Sequence, residues 1–264
     1  PQFGSAFSKR FDIVSGTANG KELKNLSELA LSGILYYVSQ VLNHLIEQGQ
    51  FKEDHSKSLK ICLGGKASTL YKIVFEDQDA QEGLSEMIKK VTQVKKNNKT
   101  EDIFSSVSIE FTQIPKHEVS YGLLVSKEGA TDLNTQAKSH ETVLGEAVMD
   151  GKSKINILSK LNPNNQWRVK DLTQLKTFIK HLQAYSKIHV KMVQKFESDL
   201  EGRINAELKN AQSKALDLQK SQQSVEGDAS MAELQKTTSI LTPIFIFGLK
   251  QIDHEITSGK IKLK

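Results

Sequence analysis

The amino-acid sequence predicts an α/β fold over residues 1–130 and a mostly helical part over residues 131–264. Three observations carry this. Between residues 27 and 126, apolar positions spaced by three and four alternate with short strand-like runs, the pattern of helix and strand layering. One such run, Leu59 to Leu63, passes directly into Gly64-Gly65 and then into a helix-forming stretch. From Leu172 to Leu218, by contrast, the apolar residues step mostly by three or four, as they do in long helices.

Taken in order, residues 1–20 contain Gly4, Gly16 and Gly20 and read as loop with one short strand at most. Ser27 is placed to cap a helix whose apolar positions are Leu29, Ile34, Val38, Val41, Leu42 and Leu45, ending near Gly49. A polar loop, 50–58, leads to the mainly apolar run Leu59–Leu63. That run reads as a strand buried on both faces, which makes Cys62 a buried, inert thiol. After the glycine turn a short helix is expected from Ser68 to about Val74, and a second from about Ala80 to Val94 with Leu84, Ile88 and Val91 on one face. Lys95 to Glu101 reads as a polar loop. Val107, Ile109 and Phe111 then alternate with Ser108, Glu110 and Thr112, a strand signature. Pro115 suits the first turn of a helix containing Val119, Leu123 and Leu124.

Beyond Ala130 the texture changes. Residues 130–168 are loop-rich, with a turn at Asn162-Pro163-Asn164-Asn165. The helical stretch that follows has a narrow apolar stripe and an expected interruption near Gly202, and Ser221 to Ser230 has the composition of a linker. The last segment, Leu234 to Ile256, holds the apolar run Ile240–Leu249 around Pro243 and is expected to dock on the body.

Composition bounds the function classes. The 264 residues suffice for one large domain or two ordinary ones, and 38% hydrophobic, 25% charged and 6% aromatic residues fit a polar, helix-rich protein. The net charge of +5 is spread among interspersed lysines and glutamates. The densest basic run (Lys89, Lys90, Lys95, Lys96, Lys99) lacks stacking aromatics, so a nucleic-acid partner is not expected. No apolar run approaches the about 18 residues that span a bilayer, so no membrane partner is expected either. A single cysteine excludes an internal disulfide and fits a reducing, cytoplasmic setting. The chain opens on Pro1 rather than Met, which fits a fragment or a processed product. Its seven histidines are scattered without zinc spacing. His181 and His189, eight apart on the long helical stretch, read as surface or interface residues, so no metal site is expected. The nucleophile elbow GxSxG and the dinucleotide fingerprint GxGxxG are both absent, and Gly65-Lys66 runs into Ala67, which breaks a Walker A pattern.

Two segments carry a resemblance. Ile61 to Ser68 reads ICLGGKAS and Pro115 to Gly122 reads PKHEVSYG. The first resembles the adenosine motif of the actin, heat-shock chaperone and sugar-kinase ATPase superfamily, an apolar strand ending in Gly-Gly-x-Ser/Thr or Gly-x-Gly-Ser. The second resembles that superfamily's later helix start, Pro-x-x-x-Val-Ala-Tyr-Gly, with Val119, Tyr121 and Gly122 in the matching places and Ser120 replacing Ala. The resemblance implies the C-terminal, adenosine-motif part of an incomplete ATPase of the bacterial actin-like or chaperone-like kind. On that reading residues 1–130 form the actin-like second-lobe subdomain and residues 131–264 a helical appendage. It implies ATP or ADP as ligand, with Gly64, Gly65 and Ser68 lining the adenosine pocket, Lys66 at its rim and Gly122 on the lobe-connecting helix. The departures matter equally. Ala67 stands where the second glycine of Gly-x-Gly-Ser would be, and the interval between the motifs is longer than in the chaperones. Nothing resembles the Asp-x-Gly-Thr hairpins that position Mg²⁺ and the attacking water, so no catalytic or metal residue is implied here, and hydrolysis belongs to a complete protein. A sugar-kinase activity ranks lower, because no acidic constellation offers a base. The implied partner is the remainder of a longer ATPase, or a protein bound through the helical appendage. The alternative function is a non-enzymatic helical interaction or scaffold module.

Overall fold

A computed structural model describes residues 17–47, 58–75, 77–96, 99–111, 144–155, 164–186, 188, 190, 194–223 and 243–261. The fold mixes helices with a few short strands. The chain divides into two compact units. One comprises Pro1–Gln136, Lys180–Val190 and Leu263–Lys264, and the other Ala137–Ile179 and Lys191–Lys262. Residues 180–190, which the sequence places in the helical part, thus belong with the first unit.

The first unit opens with helix α1 (Ala18–Glu47). Its cap is Thr17, whose Oγ1 accepts the Gly20 N–H at 3.1 Å, so the helix starts well before Ser27, which lies in its interior. Leu29, Leu35, Tyr36 and Ile46 are buried, whereas Leu23, Ile34 and Val38 on another face are exposed. The helix also corrects the expectation that no apolar stretch is long enough for a bilayer. Leu29 to Ile46 contains no Asp, Glu, Lys or Arg, and α1 is long and apolar enough to cross a membrane by length and composition alone. In the fold it carries Glu28, Ser32, Ser39 and Gln40 on its buried side.

Strand β1 (Leu59–Leu63) is followed by helices α2 (Gly65–Val74) and α3 (Gln78–Val91). The short strands β2 (Val94–Lys96) and β3 (Lys99–Glu101) come next, and β4 (Val107–Phe111) closes the series. β1 and β4 pair in parallel, from Leu59 opposite Val107 to Leu63 opposite Phe111, and α3 packs against both α1 and β4. Cys62 is exposed, not buried. Exposure alternates along β1, with Lys60 and Cys62 outward and Leu59, Ile61 and Leu63 half-buried, so the strand is covered on one face only. A five-residue apolar run does not distinguish that case from a strand covered on both faces. Lys60 Nζ lies 2.8 Å from Glu110 Oε1 on the open face.

Asp77 caps α3 by accepting the Asp79 N–H at 3.1 Å, and the helix buries Leu84, Met87 and Ile88. The stretch read as a polar loop, 95–101, instead contributes to the antiparallel pair β2–β3. The pair is anchored where lysine counting does not look. Val94 packs with Ile46 and Ile103, and Asp102 receives Gln93 Nε2 at 2.6 Å and Lys89 Nζ at 3.0 Å. Those two partners, Gln93 foremost, hold the Asp102 carboxyl below the usual carboxylate range. Pro115 to Gly122 lies outside the described residues.

The second unit is not purely helical. Strands β5 (Val148–Asp150), β6 (Ser153–Ile155) and β7 (Trp167–Arg168) form an antiparallel sheet in the order β6-β5-β7, within the region read as loop-rich. Gly151 turns β5 into β6 at φ +62°, a backbone conformation that favours glycine. Helices α4 (Thr173–Tyr185), α5 (Gln194–Gln223) and α6 (Ile244–Thr257) follow. The long helical stretch is therefore interrupted between Tyr185 and Gln194. Gly202 sits inside α5, where an added Cβ would meet nothing within 4 Å.

The narrow stripe of α5 (Phe196, Leu200, Ile204, Leu208, Ala211) is buried, and α5 packs against α6 and β7. Asn205 extends β7 by taking a strand's role. Its Oδ1 accepts the Val169 N–H at 2.7 Å, while its Nδ2 donates to the Val169 carbonyl at 3.1 Å. The expected docking of the last segment is seen in α6. Phe245 meets Phe178 edge-on with ring centroids 5.7 Å apart, and Gly248 admits Leu175 so closely that a Cβ would lie 3.1 Å from its side chain. Arg203 reaches from α5 to the buried Glu255 at 2.8 Å, with Lys260 at 3.1 Å on the same carboxylate, and the two cations lower its pKa.

Candidate functional site

β1 delivers the chain to Gly64, whose backbone is extended (φ −110°, ψ 171°). Any residue adopts that conformation, so glycine matters here only through its missing side chain. Gly64 is the N-cap of α2 and supplies no side-chain acceptor, so the N–H groups of the first turn receive no side-chain cap from it. The aligned peptides concentrate partial positive charge at that end. The Ser68 N–H bonds the Gly64 carbonyl at 3.4 Å. Gly64, Gly65, Lys66 and Ser68 thus share one turn, although the side chain of Lys66 lies outside the described set. Ser68 is buried, so its hydroxyl belongs to the interior. Gly122 lies outside the described residues and is not placed beside the turn.

Three residues beyond Ser68 on α2, the buried Tyr71 stacks on Phe75 with ring centroids 4.5 Å apart. It leads into a polar group that no sequence motif announces: Glu28 and Ser32 of α1, and Tyr185 and Ser186 at the end of α4. Tyr185 is wedged against α3. A Cβ on Gly83 would lie 2.1 Å from its Cβ and 2.7 Å from its Cγ. Glu28 is 7% exposed, and its Oε1 makes no hydrogen bond. The hydroxyls of Ser32 and Tyr185 interact electrostatically without closing a well-aligned bond. Burial pushes the Glu28 carboxyl up to about 7; Ser186 and Lys24 pull it down, and Asp77 adds to the rise. Burial also raises the Tyr185 and Tyr71 phenols. The one sequence-level signal was available on α1, where Glu28 and Ser32 stand four apart beside the apolar positions 29, 35 and 36.

The second unit holds another buried carboxylate with a different role. Glu146 Oε1 accepts the Gln174 N–H at 2.9 Å and Oε2 the Leu175 N–H at 3.0 Å, so a residue 28 positions away caps α4. Burial pushes its carboxyl up to about 7 against the pull of the backbone donors. Among the described residues no group of three or more His, Cys, Asp or Glu side chains could hold a metal ion. His181 is half-buried, and burial, then Lys90, lower its pKa; His189 lies outside the described residues.

No family model matches the chain, and neither does any curated protein or solved structure.

Proposed function

We propose that the first unit binds an adenine nucleotide, ATP or ADP, at the turn after β1, as the adenosine-binding portion of an actin-like or chaperone-like ATPase. The register of the parallel pair carries this reading. Leu63 lies opposite Phe111, so the chain leaves both strands at one carboxyl edge, just before Gly64 on one side and just before the segment containing Pro115 on the other. In layered α/β structures, ligands settle outside the carboxyl ends of parallel strands. The start of α2, uncapped by any side chain of Gly64, adds a field suited to phosphate. Gly64 and Gly65 leave room for adenine and ribose, and Lys66 stands at the rim. Ser68 contributes through the helical turn it closes, since its hydroxyl faces inward. Gly122, outside the described residues, is assigned to the lobe-connecting helix by the resemblance alone. The chain carries no counterpart of the hairpins that hold Mg²⁺ and orient water, so its proposed role is binding, with hydrolysis assigned to a complete protein.

Titration calorimetry of the chain with ATP and with ADP tests this. Binding is expected, and Gly65→Leu is expected to weaken it about tenfold or more, a loss of about 1.4 kcal/mol, with the far-ultraviolet circular dichroism unchanged. Absence of heat at millimolar nucleotide would sink the proposal, as would a Gly65→Leu variant that binds equally well. Either result returns the chain to the reading of a non-enzymatic scaffold module.

A further inference from the structure

Three neighbouring oxygens in the first unit are buried without a well-aligned hydrogen bond to protein: Glu28 Oε1, Ser32 Oγ and Tyr185 Oη. Glu28 is 7% and Ser32 0% exposed. Such groups are uncommon in a native interior, because each gives up its hydration and gains nothing in return. Two of the oxygens come from α1 and one from the end of α4, yet they share one neighbourhood. The Tyr185 phenol interacts with both Ser32 and Glu28, and Tyr71 of α2 approaches it as well.

The Ser32 hydroxyl is turned toward this neighbourhood and away from its own helix. A serine inside a helix has a ready acceptor, the carbonyl four residues back. Ser39 uses it on the same helix, donating to the Leu35 carbonyl at 2.7 Å. Ser186 does so at the end of α4, donating to the Leu182 carbonyl at 2.8 Å. Ser32 makes no such bond to the Glu28 carbonyl and stands against Tyr185 instead.

We propose that one water molecule is built into the first unit here, bridging Glu28 Oε1, Ser32 Oγ and Tyr185 Oη. A water has two donors and two acceptor lone pairs, and buried waters typically hold about three polar partners. The hydroxyls of Ser32 and Tyr185 can each donate or accept. The water can donate to Glu28 Oε1 or accept from it, so the site works in either charge state of the carboxyl. The surroundings fix the class of ligand. Among the described residues no group of three or more His, Cys, Asp or Glu side chains could hold a metal ion. The three oxygens are out of contact with solvent, so no larger solute reaches them in the folded state. The water makes a join. Through it, and through the contact of Glu28 with Ser186, α1 meets a segment about 150 residues further along the chain, while Tyr185 rests on Gly83 of α3.

Oxygen-17 relaxation dispersion counts waters that turn with the protein, and on the whole chain it tests the site. The Ser32→Ala/Tyr185→Phe double variant keeps the aromatic ring against Gly83 but removes both hydroxyls, leaving the water one of its three partners. It is expected to hold one long-lived water fewer than the wild type, and an unchanged count overturns the proposal. Urea unfolding of Tyr185→Phe adds a sign. A bridged hydroxyl is satisfied, so its removal is expected to lower the folding equilibrium constant about fivefold. Removing an unsatisfied hydroxyl would bring relief, so a constant that stays level or rises overturns the water too. A loss of stability with an unchanged water count would mean that Ser32 and Tyr185 bond each other directly, which also overturns it. Should the double variant fail to fold, a high-resolution crystal structure of the wild-type chain decides. A density peak within about 3.2 Å of all three oxygens is expected, and the lack of one overturns the site.

Discussion

Replacing Gly83 with alanine is expected to destabilise the first unit by about 3 kcal/mol, whereas the same replacement at Gly202 is expected to stabilise the second unit by about 0.5–1 kcal/mol. Both glycines sit within helices, where glycine costs about 1 kcal/mol relative to alanine. The helix effect favours alanine at both sites, so packing decides the difference. At Gly83 the new methyl would lie 2.1 Å from the Cβ of Tyr185 and 2.7 Å from its Cγ, and the Cβ is placed by the backbone of α4, so no change of rotamer moves it. The clash must be relieved by parting α3 from the end of α4. That would open the interior around Leu84, Met87 and Ile88. At Gly202 nothing stands within 4 Å, so only the gain in helix propensity remains. Urea unfolding followed by circular dichroism reads both variants. A Gly83→Ala protein as stable as wild type would mean that Tyr185 does not lie against α3 in solution.

The same residue shows what the sequence could and could not disclose. β1, α3 and β4 were legible because apolar spacing over five to fourteen residues is a local signal, and the glycine turn announces itself by composition. Three of the differences between sequence and structure show the physical reasons most clearly. Cys62 was placed inside because an apolar strand looks alike whether one face or both are covered. The β2–β3 pair escapes the sequence pattern because its lysines read as loop, while among the side chains described in the pair only Val94 is buried. The split between α4 and α5 was shifted to Gly202 because the three-and-four stepping continues across the true break, and a solvent-facing glycine is tolerated inside a helix. The polar group around Glu28 was out of reach altogether. Its members lie at positions 28, 32, 71, 185 and 186, and only the return of residues 180–190 to the first unit brings them together.

Glu146→Ala is expected to destabilise the second unit by about 3 kcal/mol at pH 5 and by distinctly less at pH 8. Glu146 is wholly buried, and its two oxygens satisfy the Gln174 and Leu175 N–H groups at the start of α4, so cutting the side chain back removes both acceptors at once. Asp171 cannot take over, because its carboxylate is engaged with the Thr173 hydroxyl at 2.7 Å and with Lys176 at 3.3 Å. The pH dependence separates this cap from an ordinary surface one. Folding raises the Glu146 carboxyl from 4.5 to about 7, so the wild type is most stable below the lower value, loses stability as pH climbs between the two, and is level above about 7. Alanine carries no such dependence, and the gap between the two proteins must narrow as pH rises. Glu146→Gln, which keeps one acceptor and no charge, should fall between them and stay flat with pH. Trp167, the only tryptophan and buried in the same unit, reports the unfolding directly by fluorescence. A gap that widens with pH would show that the N–H donors outweigh burial and that Glu146 caps α4 as a stable carboxylate.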